Sequence, residues 1–339
     1  MTVLLEKRRL IVSPGLVPAQ QRREDKFGHP QNVYVDLTIG LINNMPDGAL
    51  KATERQFMRL LRQAAGDVRI DFHCFSLPSV RRSQSEKGRL EGQYTDIAEI
   101  ERLQIDGLIV TGAEPNAATL PQETFWRELT DIVDWARNNT RSTIWSCLAA
   151  HAAVLHLDGI ERQRIETKCS GIYDCVGVSP HWLTEGLPSP FKVAHSRLNE
   201  VCADDLTANG YHLLSRSLRG VDSFAKDFGS QFIFFQGHPE YEELSLEREY
   251  LRDISRFLSC ERDSYPGIPA GYFDAETEQK LAAFAMRAQA ERRPALSTEL
   301  PDRTLREDIA TGAAATVMFR NWIGFLFERA RAASPETSL

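Results

Sequence analysis

Long hydrophobic runs are missing from this sequence: no uncharged apolar stretch reaches the roughly 18 residues that a membrane-spanning helix needs. The opening MTVLLEKRRLIVSPG carries acidic and basic side chains where a secretory signal peptide has an apolar core. Runs of like charge that would suit a nucleic acid or an anionic membrane are also missing, and the net charge is -7. We therefore expect a cytoplasmic protein whose partners are small molecules, with no nucleic acid and no membrane among them.

Cysteine is scarce, with six residues in a chain of 339 and no CxxC pair. This scarcity excludes a disulfide scaffold and a zinc ribbon, and the thiols are expected to be mostly free and to act as small buried hydrophobic residues. Cys169 and Cys175 flank a five-residue gap that fits neither zinc nor an iron–sulfur cluster, and no two histidines have HxxxH spacing. The sequence therefore predicts no metal site.

Apolar and charged residues make up 42% and 26% of the chain, so it can bury a full core. Short β-branched runs alternate with amphipathic helical patterns, as in LTIGLIN (37–43) followed by TERQFMRLLRQAAG (53–66), with Thr53 as the helix N-cap. This alternation predicts an α/β fold with a mostly parallel sheet flanked by helices. From about residue 165 to 240 the runs shorten, which favours antiparallel or edge strands.

The chain is expected to form one domain at 31–330, with a peripheral N-terminal segment at 1–30 and a tail at 331–339. Near the end of the domain, TVMFRNWIGFLF (316–327) is apolar along most of its length. Such a helix packs either against the core of its own chain or against a second copy, and the sequence leaves both alternatives open.

One cysteine stands apart, because Cys147 lies where a buried strand meets a helix in TIWSCLAAHAAVL (143–155). Small residues follow it, so the helix can approach the sheet closely, as in a nucleophile elbow. The helix N-terminus favours a thiolate there, and backbone N–H groups such as that of Leu148 can hold an oxyanion. A buried structural cysteine would leave a similar pattern. His151, one turn into the helix, either lines the pocket or is buried and hydrogen-bonded.

A thiolate nucleophile also needs a base, and QFIFFQGHPEY (231–241) offers one. After an apolar strand and a glycine come His238 and Glu240, separated by a proline. His238 is expected to emerge at the same carboxyl edge of the sheet as Cys147, where Glu240 can orient its imidazole. A histidine after a glycine turn is usually only solvated, but its combination with a cysteine elbow indicates a Cys-His-Glu triad.

This triad resembles the class I glutamine amidotransferase-like fold, which is flavodoxin-like and uses Cys, His and Glu at the edge of a parallel sheet. Within that superfamily the chain resembles the homoserine O-succinyltransferase family, which includes acetyl-transferring members. The matching stretches follow the family order from about residue 35 to 328. They are IGLINNMP (39–46), TERQFMRLL (53–61), DGLIVTGA (106–113), TKCSGIYD (167–174), AHSR (194–197), GHPEY (237–241), EYLRDI (249–254) and FRNWI (319–323).

The resemblance implies an acyltransferase that moves a succinyl or acetyl group from acyl-CoA to the hydroxyl of homoserine in a ping-pong cycle. By the same resemblance Cys147 carries the acyl group as a thioester, His238 is the general acid and base, and Glu240 orients it. No cofactor is implied beyond acyl-CoA as a co-substrate, and members of the family are commonly homodimers. The substrate-contacting positions of the family match Lys168, Ser196 and Arg252.

The chain departs from the family pattern around the expected pockets. The loop position that helps to select succinyl or acetyl donors falls on Thr119, where the family usually has Glu or Gly. The nearest match to a lysine beside the oxyanion is Lys51, which a two-residue insertion displaces, and Leu148 replaces the usual aromatic residue after the cysteine. We therefore expect the reaction class to be retained and the substrate pair to be altered, with serine or another hydroxy amino acid as an alternative acceptor.

Two other functions stay open at this point. The triad would also serve amide hydrolysis in a glutamine amidotransferase-like enzyme, although SCLAAH (146–151) lacks the glycine that typically follows the cysteine by two residues there. The chain could instead be a catalytically silent relative that binds an amino acid or acyl-CoA.

Overall fold

The computed structural model describes residues 10–12, 36–309 and 312–333. Most of the predicted segment 1–30 and of the predicted tail 331–339 therefore lies outside the described residues. The strands are β1 (Leu10–Val12), β2 (Leu37–Ile42), β3 (Ile70–Phe75), β4 (Gly107–Val110), β5 (Ser142–Ser146), β6 (Gln163–Gly177), β7 (Phe191–Glu200), β8 (His212–Ser217), β9 (Gly220–Asp227) and β10 (Gln231–Phe235). The α-helices are α1 (Asp47–Ala64), α2 (Gln84–Gln93), α3 (Trp126–Asn139), α4 (Leu148–Asp158), α5 (Ala203–Ala208), α6 (Ser245–Leu258), α7 (Ala275–Glu291) and α8 (Gly312–Ala333).

These strands form a sheet in the order β1-β3-β2-β4-β5-β10-β9-β8-β6-β7. Strands β3, β2, β4, β5 and β10 run parallel to one another, and β2, β4 and β5 are buried almost throughout. Burial on both faces is typical of parallel strands that helices cover on either side. The predicted α/β fold with flanking helices is confirmed, and the carboxyl ends of its central strands meet at one edge.

Antiparallel strands extend the sheet beyond β10, through β9, β8, β6 and β7. The 15-residue strand β6 is long enough to pair with β7 along most of its length and with β8 at its end. The antiparallel pairing predicted for this part of the chain is thus confirmed. Strand β10 differs, because it also runs parallel to β5; its uninterrupted apolar residues are buried, as in the other central strands.

Helices cover both faces of the sheet. α3 and α4 pack on one face, α1 and α8 pack on the other, and α6 and α7 share a further apolar cluster. The apolar stretch 316–327 lies in α8, where Trp322 is fully buried and donates a hydrogen bond from Nε1 to Ser142 Oγ at 2.9 Å. Of the two alternatives for this stretch, it packs against its own chain. Within the described ranges, none of the helices combines the length and the apolar character that crossing a membrane requires.

The prediction of Thr53 as a helix N-cap is wrong. α1 begins at Asp47 with Pro46 in the N-cap position, and Thr53 is a buried residue inside the helix. The earlier start is favourable because Asp47 places a negative charge in the first turn and Leu50 adds a buried residue to the apolar face.

Gly107 marks a close approach between β4 and α8, and it gives a test of the packing. A Cβ at this position would lie 2.5 Å from Leu326 Cδ1 and 2.8 Å from Trp322 Cζ2. We expect Gly107→Ala to lower the free energy of unfolding by about 1–3 kcal/mol, since a packed tryptophan would have to shift. Urea unfolding followed by circular dichroism measures the change.

Gly324→Ala is the matched control, because a Cβ on Gly324 of α8 would meet nothing within 4 Å. Alanine has the higher helix propensity, so this variant is expected to unfold at the wild-type urea concentration or slightly above it. A wild-type midpoint for Gly107→Ala would contradict the close packing of α8 on the sheet.

Candidate active site

Cys147 occupies a sharp turn between β5 and α4, with φ 54° and ψ -115°. A positive φ at a residue other than glycine costs roughly 1–3 kcal/mol, so the surrounding structure has to hold it in place. The Cys147 N–H donates to the carbonyl oxygen of Phe235 in β10 at 2.8 Å. Ala149 and Ala150 are fully buried, which lets α4 lie close to the sheet. The backbone therefore has the form of the predicted elbow, and the nucleophilic role of Cys147 stays a prediction.

The loop that follows β4 passes against this elbow. A Cβ on Gly112 would lie 2.8 Å from Leu148 Cβ and 3.0 Å from Leu148 N, so only glycine permits the approach. Leu148 is the first residue of α4, and the N–H at this position has no acceptor within the helix. Because helix N-termini attract anions, the Leu148 N–H stays a candidate oxyanion donor next to Cys147.

His238 lies at the same edge of the sheet and connects the thiol to a carboxylate. Its Nδ1 is 2.8 Å from Glu240 Oε1, both side chains are buried, and the Cys147 side chain is near enough for its charge to act on the imidazole. Burial alone would lower the pKa of His238, but the negative charges of Glu240 and Cys147 raise it well above the ordinary value of 6.5. The arrangement favours the protonated form of the His238 imidazole. The structure thus brings the three predicted triad residues together.

Two carboxylates of α6 gather the predicted substrate-binding residues. Glu249 accepts a hydrogen bond from Ser196 Oγ of β7, and Asp253 Oδ2 accepts one from Lys168 Nζ of β6 at 3.2 Å. Arg252 donates to Asp253 Oδ1 from Nε at 3.2 Å and from Nη2 at 3.0 Å. Lys168, Ser196 and Arg252 therefore surround a single acidic pair whose members lie one helical turn apart.

Asp253 is the more buried of these two acids. Arg262 Nη1 lies 3.0 Å from its Oδ2, so three cations face one carboxylate. Burial would raise the pKa of Asp253, but Lys168 and Arg252 beside it lower the pKa below its ordinary value. The carboxylate stays ionised and can hold the cationic side chains in fixed positions.

Tyr241 connects the acidic pair to the triad. Its ring stacks on the His238 imidazole with centroids 4.2 Å apart and an interplanar angle of 19°, and its hydroxyl donates to Glu249 Oε1 at 2.5 Å. Burial and the charge of Glu249 raise the pKa of Tyr241 well above 10.0, so the hydroxyl stays protonated. The predicted catalytic and substrate-binding residues therefore form one continuous cluster.

Thr119 and Lys51 make no described contact with this cluster. Thr119 is exposed in the loop after β4, and Lys51 of α1 is also exposed, with its Nζ 3.7 Å from Glu86 Oε1. The loop is fixed further along by Glu123, whose Oε1 accepts hydrogen bonds from the N–H groups of Asn116 and Ala117 at 2.8 Å each. The loop borders a cavity of about 370 Å³. Asn116 and Glu123 line this cavity together with Asn44, Ala113 and Phe125.

His151 is a buried, hydrogen-bonded histidine, which was one of its two predicted alternatives. Its Nε2 lies 3.0 Å from Gln236 Oε1, and burial lowers its pKa to about 4. The imidazole is therefore neutral near pH 7 and stabilises the packing of α4 against the end of β10.

Five residues of the cluster are not among those predicted from the sequence. Glu249 and Asp253 leave a signal, since carboxylates four residues apart on an amphipathic helix share one face. The half-buried Arg162 leaves no such signal. Burial lowers the pKa of its guanidinium, and the nearby charge of Cys147 opposes that shift. The residues found only from the structure are Arg162, Tyr241, Glu249, Asp253 and Arg262.

The sequence is similar to one known family along most of its length. The family model described as homoserine O-succinyltransferase matches residues 24–332. A homoserine O-succinyltransferase of Bradyrhizobium japonicum is 56% identical over 328 residues, which cover 96% of this chain and 99% of that relative. One of Rhodopseudomonas palustris is 52% identical over 326 residues, covering 95% and 98%. Among solved structures, a glutamine amidotransferase from Thermotoga maritima has 11% identity and a TM-score of 0.46, over 78% of this chain and 96% of that one.

Removing the charge of Glu240 tests the coupling within the triad. Glu240→Gln keeps the size of the side chain, and we expect the pKa of His238 to fall because the carboxylate that raises it is gone. The imidazolium then loses its proton at a lower pH and supports the thiolate less well. Alkylation of Cys147 by iodoacetamide near neutral pH should slow by about tenfold or more, since one pKa unit is a tenfold change. Peptide mass spectrometry across a pH series measures the rate.

Glu242→Gln provides the control, because Glu242 lies two residues further on and pairs with surface arginines such as Arg55 at 3.4 Å. Its alkylation profile should match that of the wild type. An unchanged profile for Glu240→Gln, or an equal loss in both variants, would contradict the proposed coupling.

Proposed function

Because the chain belongs to the homoserine O-succinyltransferase family, we propose that it transfers a succinyl group from succinyl-CoA to the hydroxyl of homoserine. The protein is an acyltransferase, and such an enzyme needs a nucleophile, a proton carrier and an amino-acid site. The observation that carries the proposal is that Cys147 lies near His238, whose Nδ1 is 2.8 Å from Glu240 Oε1, at the carboxyl edge of the parallel strands. We further propose a cytoplasmic homodimer that acts on small molecules and uses no catalytic cofactor.

In the proposed first half-reaction, the Cys147 thiolate attacks the thioester carbonyl of the acyl-CoA. A new carbon–sulfur bond forms, and the carbonyl electron pair moves to oxygen, where the Leu148 N–H and the N-terminus of α4 favour the negative charge. The oxyanion then collapses and the bond to the CoA sulfur breaks. The His238 imidazolium gives its proton to the departing sulfur, which leaves an acylated cysteine and a neutral histidine.

In the second half-reaction the acceptor hydroxyl attacks this enzyme thioester. Neutral His238 takes the hydroxyl proton as the new carbon–oxygen bond forms, and Cys147 leaves as a thiolate. The imidazolium that results is stabilised by Glu240, whose Oε1 lies 2.8 Å from Nδ1. The cycle therefore returns both residues to their starting state, which is the balance that a ping-pong mechanism needs.

The acidic pair and its cations suit an amino acid as the acceptor. Arg252 is partly exposed, so its guanidinium can bind the α-carboxylate in two hydrogen bonds while Asp253 holds it in place. Lys168 supplies a second cation, and Glu249 supplies a carboxylate for the α-ammonium group. Because the Tyr241 ring joins Glu249 to His238, a bound amino acid would have its hydroxyl near the imidazole.

A succinyl donor agrees with the charge near Cys147. A succinyl group ends in a carboxylate, which an acetyl group lacks, and Arg162 is a half-buried cation whose charge interacts with Cys147. Two relatives that share more than half of their residues with this chain are named homoserine O-succinyltransferases. We therefore propose succinyl-CoA and homoserine over acetyl-CoA and serine, with Thr119 as a further candidate for donor selection.

Intact-protein mass spectrometry tests the thioester and the donor together. Brief incubation with succinyl-CoA in the absence of an acceptor should add the mass of one succinyl group, and later addition of homoserine should remove it. Cys147→Ala should gain no mass, whereas Cys202→Ser should behave as the wild type, because Cys202 lies at the start of α5.

An acetyl adduct formed in preference to a succinyl adduct would contradict the donor. No adduct with either CoA would contradict the thioester. Serine removing the adduct faster than homoserine would contradict the acceptor.

Asp253→Asn tests the acceptor site separately from the first half-reaction. Without the carboxylate, Lys168 and Arg252 lose the partner that fixes them at 3.2 and 3.0 Å. A hydrogen bond to a charged group contributes about 1.5–3 kcal/mol, so the KM for homoserine should rise by about ten- to a hundredfold. Succinylation of Cys147 without acceptor should keep its wild-type rate, since Asp253 serves only the amino acid.

Asp263→Asn is the control, because Asp263 is exposed and its Oδ1 lies 3.9 Å from Arg292. It should leave both half-reactions unchanged. An unchanged homoserine KM in a folded Asp253→Asn protein would place the acceptor site elsewhere.

A further inference from the structure

A second cluster of chemically reactive side chains lies next to the triad but does not take part in the proposed reaction. It consists of Cys175 of β6, His195 of β7 and Asp222 of β9, and one ligand atom from each lies within 4.8 Å of the others. All three side chains are fully buried. The three residues are far apart in the sequence and have no motif spacing, which is why the sequence predicts no metal site here.

The polar atoms of this cluster are largely without partners. His195 Nδ1, His195 Nε2 and Asp222 Oδ1 are buried and make no hydrogen bond to any part of the chain that is described. His195 Nε2 lies 3.3 Å from Asp222 Oδ1, but the direction between the two atoms is not that of a hydrogen bond. Ser215 Oγ donates to the other carboxylate oxygen, Oδ2, at 2.6 Å, so the orphaned Oδ1 is the one that faces His195. Buried polar groups are rarely left in this state, because their lost hydration is not replaced.

Space beside the orphaned oxygen is kept free by a glycine. A Cβ on Gly237 would lie 2.5 Å from Asp222 Oδ1 and 3.1 Å from His195 Cε1. Gly237 directly precedes His238 in the chain, so the cluster lies against the backbone that carries the candidate general base.

We propose that Cys175, His195 and Asp222 bind one divalent metal ion of the zinc type. A thiolate, an imidazole and a carboxylate are the three ligand types that Zn²⁺ takes in proteins. Nitrogen and oxygen ligands on a tetrahedral zinc lie about 3.3–3.5 Å apart, given bond lengths near 2.0–2.2 Å, and the observed separation is 3.3 Å. The thiolate and the carboxylate together balance the two positive charges of the ion.

Binding involves no oxidation or reduction. The Cys175 S–H bond breaks, its proton passes to solvent, and a sulfur–metal bond forms while His195 coordinates as a neutral imidazole. Three protein ligands leave one coordination position for a water molecule. The ion would join β6, β7 and β9 and fix the backbone next to His238, and no step of the proposed acyl transfer passes through it.

Metal analysis of the full-length protein tests the site independently of its activity. We expect about one zinc per chain, measured by inductively coupled plasma mass spectrometry, after chelator treatment, incubation with ZnSO4 and gel filtration. Replacement by Co²⁺ should give the near-ultraviolet charge-transfer band of a cobalt–thiolate bond. Cys175→Ser should lose both the zinc and the band, and Asp222→Asn should lose the zinc.

Cys74→Ser is the matched control, because Cys74 also lies on a strand and is partly buried but is remote in the sequence from all three ligands. It should retain the zinc and the cobalt–thiolate band. Circular dichroism identifies variants that do not fold. If Cys175→Ser does not fold, the zinc content of Asp222→Asn tests the proposal.

Wild-type protein that binds no zinc after reconstitution would overturn the proposal. So would zinc that remains in folded Cys175→Ser or Asp222→Asn. Either result would leave His195 and Asp222 as an internal polar pair, whether or not the enzyme transfers succinyl groups.

Discussion

The parallel pairing of β5 with β10 is the contact on which the candidate active site depends. Ser146 lies opposite Phe235 in this pairing, and the hydrogen bond from the Cys147 N–H to the Phe235 carbonyl extends it by one residue. Since His238 follows Phe235 by three positions, the register of these strands sets the separation of thiol and imidazole. A shift of one residue would turn every side chain of β10 to the opposite face. The buried apolar residues of the strand therefore also fix the separation of the thiol and the imidazole.

Charge neutralisation on α6 determines how the rest of the site is arranged. Asp253 stays ionised because cations surround it, and those cations stay in place because the carboxylate is buried and cannot exchange them for water. Glu249 accepts a hydrogen bond from the Tyr241 hydroxyl, and the Tyr241 ring stacks on the His238 imidazole, so the position of the imidazole also depends on this pair. A site whose charged groups are already held in position loses less conformational entropy when a ligand arrives, which favours tight and oriented binding.

Features that depend on neighbouring residues could be predicted from the sequence. The strand before Cys147, the small residues after it and the Gly-His-Pro-Glu segment each have a local pattern, and the resemblance to a family placed Lys168 and Arg252 in one site. The acidic partner of Lys168 lies 85 positions away on another element, so no local pattern contains the pair. The sequence does not predict α2, because none of its residues is buried and the segment therefore lacks the periodic apolar residues that indicate a helix. The prediction of Thr53 as an N-cap was wrong because a hydroxyl residue before an apolar run has the pattern of a cap even when the helix has already begun.

The left-handed backbone at Cys147 has a consequence for how this protein can change over evolutionary time. Glycine would adopt φ 54° without the strain that a cysteine bears there, which is roughly 1–3 kcal/mol. Selection for stability alone therefore favours losing the side chain on which the proposed chemistry depends. A lineage that no longer needed the proposed reaction could gain stability by replacing this cysteine with glycine, so the stability of the turn and the proposed chemistry make opposite demands on one position.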